Sequence, residues 1–209
     1  LGNKLPRRGI CLVIAAPSGA GKSTITRALL NTEPELALSI SVTTRLPRPG
    51  EQEGVHYYYR EAREFERMAR EGALLEWAHV FGRYYGTPRA PVEAALAAGR
   101  DVAFDIDWQG WRQLKAALPA DAVGVFVLPP SLEALRDRLL ARAGDDAAEI
   151  DRRMTAARAE ISHWEEFDHV LVNENVSVCT AEVRAVLHAA RCVTRRGTGL
   201  ADFVNSLCD

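Results

Sequence analysis

Residues 10 to 30 constrain the fold of this chain more than any other stretch. Ile10-Cys11-Leu12-Val13-Ile14-Ala15-Ala16 is a continuous apolar run, rich in branched residues and ended by Pro17. Such a run predicts a short strand buried on both faces, as in a parallel sheet covered by helices. Ala16-Pro17-Ser18-Gly19-Ala20-Gly21-Lys22-Ser23 then reads as a loop of small residues, and Thr24 to Leu30 continues as a helix. Strand, small-residue loop, Lys-Ser and helix N-terminus together make a phosphate cradle. Backbone N–H groups of residues 19 to 24 are expected to converge on an anion that the helix dipole also favours. Lys22 would reach the outer phosphates and Ser23 would ligate magnesium. The spacing fits GxxxxGK[ST] with Ala16 in place of the first glycine, the smallest change possible there. The chain therefore offers a nucleoside triphosphate site.

With 209 residues, 47% of them hydrophobic, the chain suits one sizeable α/β core rather than two. A net charge of -2 carries no polyelectrolyte signature, so no nucleic-acid partner is expected. Lys4, Arg7 and Arg8 ahead of the apolar run imitate a secretory leader, but a phosphate loop follows it. The run is read as the first core strand, preceded by a few disordered residues. No stretch approaches the 18 or more apolar residues of a membrane span, so no membrane partner is expected. Cys11, Cys179, Cys192 and Cys208 show no C-x-x-C pairing, as expected of reduced cysteines in a cytoplasmic enzyme. The five histidines lack the spacing of zinc ligands.

After the first helix, Leu36 to Val42 alternates apolar with small polar residues and predicts one half-exposed strand. Thr43-Thr44-Arg45-Leu46-Pro47-Arg48-Pro49-Gly50-Glu51 is a proline-interrupted loop, poor core material and good anion-binding material. Gly54 to Tyr59 predicts a strand, Ala62 to Glu71 a helix with Phe65, Met68 and Ala69 on one side, and Leu74–Val80 with Tyr84–Thr87 a pair of strands around Gly82. The parallel pattern returns with a helix from Val92 to Ala98 and a strand from Asp101 to Asp107. Asp105 lies where that strand emerges beside the phosphate loop, fit to hold magnesium or its waters, with an N-cap for the next helix as its alternative role. Trp108 and Trp111 read as packing residues. Ala122 to Leu128 is a buried strand closed by Pro129-Pro130, and Ser131 caps a helix to about Arg142. A second helix carrying Arg152, Arg153 and Arg158 follows the turn Gly144-Asp145-Asp146, and the pair reads as a movable lid, or for any single arginine as a solvated face. His169 to Asn173 is the last core strand, Ala181 to Ala190 a closing helix, and Arg195 to Gly199 a polar break. Leu200, Phe203, Val204 and Leu207 form a helical stripe expected to dock on the core or on another subunit.

Ala16 to Ser23, Ser41-Val42-Thr43-Thr44-Arg45 with Pro47 to Glu51, Leu75-Glu76-Trp77, Tyr84-Tyr85-Gly86-Thr87 and Asp105-Ile106-Asp107-Trp108-Gln109-Gly110 together resemble guanylate kinase, in order from about Ile10 to Leu187. The resemblance implies an α/β phosphate-loop NTPase fold in one domain. Its parts would be a parallel-sheet core (about 10–38, 91–130 and 161–190), a β-rich GMP-binding insertion (about 39–90), a helical lid (about 131–160) and a C-terminal helix (about 200–207). It implies transfer of the γ-phosphoryl group from ATP to GMP, and to dGMP, with Mg2+. The donor would lie on Ala16, Pro17, Ser18, Gly19, Ala20, Gly21, Lys22, Ser23 and Thr24, with Asn173 near the adenine. Arg45, Arg48, Tyr57 and Tyr85 would hold the GMP phosphate; Ser41, Glu76 and Thr87, beside Gly86, would read guanine, and Asp107 would lie at the acceptor end. Lys22, Arg48, Arg142 and Arg153 would act on the transferring group, the last two from the lid. Scaffold domains of the same fold bind peptides, typically with a degraded phosphate loop, and the intact Lys22-Ser23 argues against that class. A kinase for another small phosphate acceptor is the third class, against which Glu76 and Ser41 argue.

Overall fold

The computed structural model describes residues 5–80, 82–141 and 147–209. Its elements run β1 (Cys11–Ala15), α1 (Lys22–Thr32), β2 (Leu36–Leu38), β3 (Val42–Thr43), β4 (Tyr58–Tyr59), α2 (Ala62–Arg70), β5 (Leu74–Val80), β6 (Arg83–Pro88) and α3 (Arg89–Ala97). There follow β7 (Asp101–Phe104), α4 (Trp108–Ala117), β8 (Ala122–Leu128), α5 (Leu132–Leu140), α6 (Ala147–Ile161), β9 (His169–Val172), α7 (Val176–Arg191) and α8 (Leu200–Cys208).

A five-stranded parallel sheet of order β2-β7-β1-β8-β9 forms the centre. The period of two in β1 divides the core. Ile10, Leu12 and Ile14 pack with Ile25 and Leu29 of α1 and Cys179, Val183 and Leu187 of α7. Cys11, Val13 and Ala15 face the other way, into a cluster with Leu96, Phe104, Trp111, Leu114 and Phe126. Both faces are thus covered, which is why β1 reads as an unbroken apolar run. A second sheet, β4-β3-β6-β5, stands apart, its underside filled by Val42, Phe65 and Leu74.

The segment expected as one strand over Leu36–Val42 is two. Leu36–Leu38 pairs with β7, Ser39 donates its N–H to Ala103 O, and the chain then crosses to the second sheet, where Val42 faces Gly86 and Tyr58. Ser41 lies at that crossing. The strand expected from Gly54 shrinks to Tyr58–Tyr59, because Gly54 at φ +74° closes a turn onto Tyr57 O. β7 ends at Phe104, and α7 begins five residues early because the Asn175 side chain caps it, accepting from the Ser177 and Val178 N–H groups.

The chain ends also differ from expectation. Among the described residues before β1, Pro6 O accepts from Thr198 N–H, Arg7 forks onto Asp101, and Arg8 onto Asp121. The expected polar break holds Arg196, only 2% exposed, which donates to Gly9 O, Ala120 O and Asp121. The stripe of α8 does not dock on the core: Phe203, Val204 and Leu207 stay exposed, and Leu200 alone of the four is half-buried.

Candidate active site

The loop from Ala16 to Gly21 leaves the C-terminal end of the central strand and turns into α1. Gly21, at φ +106°, is the residue before the helix, and a Cβ there would stand 2.4 Å from Asn173 Nδ2. Only glycine satisfies both demands. No side chain caps α1 and its first turn holds no acid, in contrast to α4, capped by Asp107, and α5, capped by Ser131. Ala20 N–H is spent on Pro17 O and Thr24 N–H on Gly21 O. The N–H groups of Gly19, Gly21, Lys22 and Ser23 have no hydrogen-bond partner among the described residues. Four donors at a helix N-terminus make a built anion cradle, two fewer than the sequence suggests.

β7 lies beside β1, so Asp105, just past β7, meets the loop: Lys22 Nζ stands 2.5 Å from its carboxylate. The cap role considered for Asp105 falls to Asp107, whose Oδ1 accepts from Gln109 and Gly110 N–H at 2.9 Å. Ser23 and Asp105 supply hard oxygen donors of the kind magnesium takes. Among the described residues no cluster of three or more metal-ligating side chains completes a cage. That fits an ion which keeps water and phosphate oxygens in its shell.

Asn173 packs directly against this loop. It is fully buried, donates Nδ2–H to Ala20 O at 2.7 Å, and accepts from Arg138 Nη2 on its own carbonyl. It holds the loop from behind, with its Oδ1 buried and unpartnered.

In the second sheet, Arg45 lies with its guanidinium 5.2 Å from the Tyr57 ring centroid, and Tyr57 meets Tyr85 edge-on at 6.1 Å. Glu51 gathers this group: it accepts from Arg45 Nη2 at 2.7 Å, Arg48 N–H at 2.7 Å and Tyr59 Oη at 2.8 Å. Those bonds, Arg45's first, hold its carboxyl down to about 2. Arg48 keeps an exposed side chain.

Cross-strand register puts Glu76 of β5 opposite Thr87 of β6, and Thr87 Oγ1 donates to Glu76 Oε1 at 2.7 Å. Glu76 is 6% exposed and its pKa is raised, by burial above all, while Thr87 opposes the rise and Asp107 adds to it. A buried carboxylate with no cation against it is costly unless a ligand brings donors. Gly86, buried beside it, allows close strand approach, since a Cβ would stand 2.8 Å from Glu76 O. Ser41, half-buried, accepts Tyr58 N–H on its carbonyl. Arg153 of α6 donates to Glu149, and Arg142 lies outside the described residues.

Residues 8–190 match the family model for guanylate kinase. The chain belongs to the guanylate kinase family. It is 64% identical to a guanylate kinase from Gluconobacter oxydans over 97% of this chain and 98% of the relative, and 60% identical to one from Granulibacter bethesdensis over 96% and 94%. The crystal structure of guanylate kinase from Anaplasma phagocytophilum is similar at 35% identity and a TM-score of 0.74, covering 97% of this chain and 96% of that one.

For a guanylate kinase, reading the sequence left three polar groups without a role. Glu51 was only part of a motif, although Glu51, Tyr57 and Tyr59 all flank one arginine. Arg138 and Glu160 carried no signal beyond charge on amphipathic helices, because their partners, Asn173 and the phosphate loop, are remote in sequence.

Proposed function

We infer a division of labour within the reaction that this chain catalyses, the ATP-dependent phosphorylation of GMP to GDP. The loop from Ala16 to Thr24 receives the donor phosphates on its free N–H groups, and Lys22 places its charge at the transferring group. Ser23 and Asp105 hold Mg2+, which when bound offsets phosphate charge. Arg45, Arg48, Tyr57 and Tyr85 receive the acceptor phosphate. Glu76, Thr87 and Ser41 read the guanine of GMP or dGMP, and Asp107 stands at the acceptor end between that pocket and the loop.

No general base is needed, because the second pKa of a phosphate monoester is about 6 and the attacking oxygen is already ionised at neutral pH. The difficulty is to bring two anions together in line, and positioned cations answer it. Arg142 and Arg153, in the lid at about 131–160, would complete that charge on closure and keep water from the donor. The insertion at about 39–90 would be the GMP-binding part, and the cytoplasm the setting.

The observation that carries this reading is the buried Glu76–Thr87 pair, a hydrogen-bonded carboxylate in the second sheet, together with an uncapped phosphate-loop helix. A coupled assay of ADP release with ATP against GMP, dGMP, AMP, CMP and UMP tests it. Turnover confined to GMP and dGMP is expected, and equal use of AMP would refute the base assignment.

A further inference from the structure

A register shift aims Glu76. Leu74 faces Pro88 and Glu76 faces Thr87, so Leu75 is one residue more than β6 supplies. An extra residue of this kind bends its strand and re-aims the side chains around it. Here it parts two neighbouring leucines: Leu74 fills the underside of the second sheet with Val42 and Phe65, and Leu75 joins Trp111 and Leu114 of α4 in the main core. β5 is thereby laid against α4 at the point where Glu76 stands.

Two residues one turn apart on α4, Gly110 and Gln113, meet that point. A Cβ on Gly110 would stand 3.1 Å from Glu76 Oε2 and 2.9 Å from Ile106 Cβ, so a glycine leaves this carboxylate oxygen its seat. Thr87 holds the other oxygen, Oε1. β5 is also an edge strand of its sheet, and the outward backbone groups of an edge need partners. Gln113 supplies them at the next residue: Trp77 N–H donates to Gln113 Oε1 at 3.1 Å, and Gln113 Nε2–H donates to Trp77 O at 3.0 Å. One amide side chain stands in for a neighbouring strand. We propose that Gln113 is a positioning residue for guanine recognition that acts through Glu76, clamping the β5 backbone to α4 so that the carboxylate stays seated over Gly110. The base-reading pocket is then shared between the insertion and a core helix that begins directly after Asp107. This rests on the reading of Glu76 as the guanine contact.

The test is a double-mutant cycle on the full chain with Gln113→Leu, Glu76→Ala and the double variant. Rates with GMP and with AMP, the KM for ATP and the melting temperature are measured for each. Leucine keeps much of the bulk of glutamine and makes neither hydrogen bond. Gln113→Leu should lower kcat/KM for GMP roughly 10-fold, within the range for coupled neighbours. The loss should fall mainly on the KM for GMP, with the KM for ATP within about twofold, and the GMP-to-AMP ratio should narrow. In the Glu76→Ala background the same change should alter kcat/KM for GMP by less than about twofold. An equal loss in both backgrounds, as a merely structural clamp would give, a loss confined to kcat, or no loss at all would overturn the proposal. Gln113→Ala must reproduce the Leu result, so the test stands if either variant folds. Failure of the Glu76 reading shows separately, as Glu76→Ala with an unchanged GMP-to-AMP preference.

Discussion

Glu51 and Arg45 are joined by a 2.7 Å hydrogen bond in which the arginine proposed for the acceptor phosphate already has an internal anion. The same carboxylate fixes the Arg48 N–H and the Tyr59 hydroxyl, so one acid organises a loop that has little apolar packing of its own. Glu51→Ala should therefore raise the KM for GMP roughly 10-fold or more, the scale of a lost charge-assisted bond, with a smaller change in kcat. A lower KM would show instead that Glu51 competes with the phosphate for Arg45.

The Glu51 carboxyl, held to about 2 against an ordinary 4.5, also gives a pH signature. A depressed carboxyl contributes to order above about 4.5, and the contribution is lost as pH falls through about 2. Tyrosine fluorescence or exchange protection in residues 45–59 should change over that window in the wild type and stay flat in Glu51→Ala.

Lys22→Met should reduce turnover on the order of 10²-fold or more, because a focused charge is removed from the transferring group. The fold should survive, since among the described residues the side chain's one ion pair is with the exposed Asp105. Steady-state rates and a melting curve decide this. Turnover near the wild-type rate would remove Lys22 from the donor site.

Glu33 makes the strongest claim on stability. It is 4% exposed at the end of α1, and although burial raises its pKa, hydrogen bonds from Arg184, Arg191 and His188 bring it down to about 2. Removing its charge strands the guanidinium of Arg191, which is largely buried and also bound to Asp101. Glu33→Gln should cost about 3 kcal/mol or more at pH 7. Its folded pKa is depressed, so the difference from wild type should shrink as pH falls from about 4.5 toward 2. Urea unfolding at pH 7 and pH 3 checks both the size and the direction.

What the sequence disclosed followed the range of the interactions. The central strand, the loop, Asp105 beside it and the Glu76/Thr87 strand pair depend on local periodicity and on spacing within hairpins, which are visible in a row of letters. The brace from Asn173 to the phosphate loop was not legible because its partner, Ala20 O, lies 153 residues away, and nothing around Asn173 in the sequence marks that contact. Arg196 read as part of a polar break for the same reason: Gly9, Ala120 and Asp121, which neutralise and satisfy it, come together only in the fold. The α8 stripe was legible as a helix, but periodicity reports a face and not what covers it, and the core leaves Phe203, Val204 and Leu207 uncovered.

The last prediction is that Glu76 decides guanine over adenine. Guanine presents N1–H and a 2-amino group side by side, both donors that a carboxylate can accept, whereas adenine offers a bare N1 and no amino group at C2. Thr87 already satisfies Oε1 once, and burial pushes the Glu76 pKa up, so the unliganded carboxylate is held at a cost. GMP would relieve that cost with two donors. AMP would set a lone pair against a buried carboxylate and leave it desolvated, and sites built on such polar complementarity reject the wrong ligand by roughly 10⁴-fold. Glu76→Gln keeps the shape and loses the charge, so it should cut kcat/KM for GMP sharply and narrow the GMP-to-AMP ratio, and Glu76→Ala should do so further. Because the charged form is the acceptor, kcat/KM for GMP in the wild type should also fall as Glu76 protonates, at a pH above the ordinary 4.5. Thr87→Val leaves the carboxylate but removes a bond that favours its charge, and should move that fall to higher pH. Rates with both nucleotides across pH separate the outcomes. An unchanged preference in Glu76→Ala would take this residue out of the base-reading pocket.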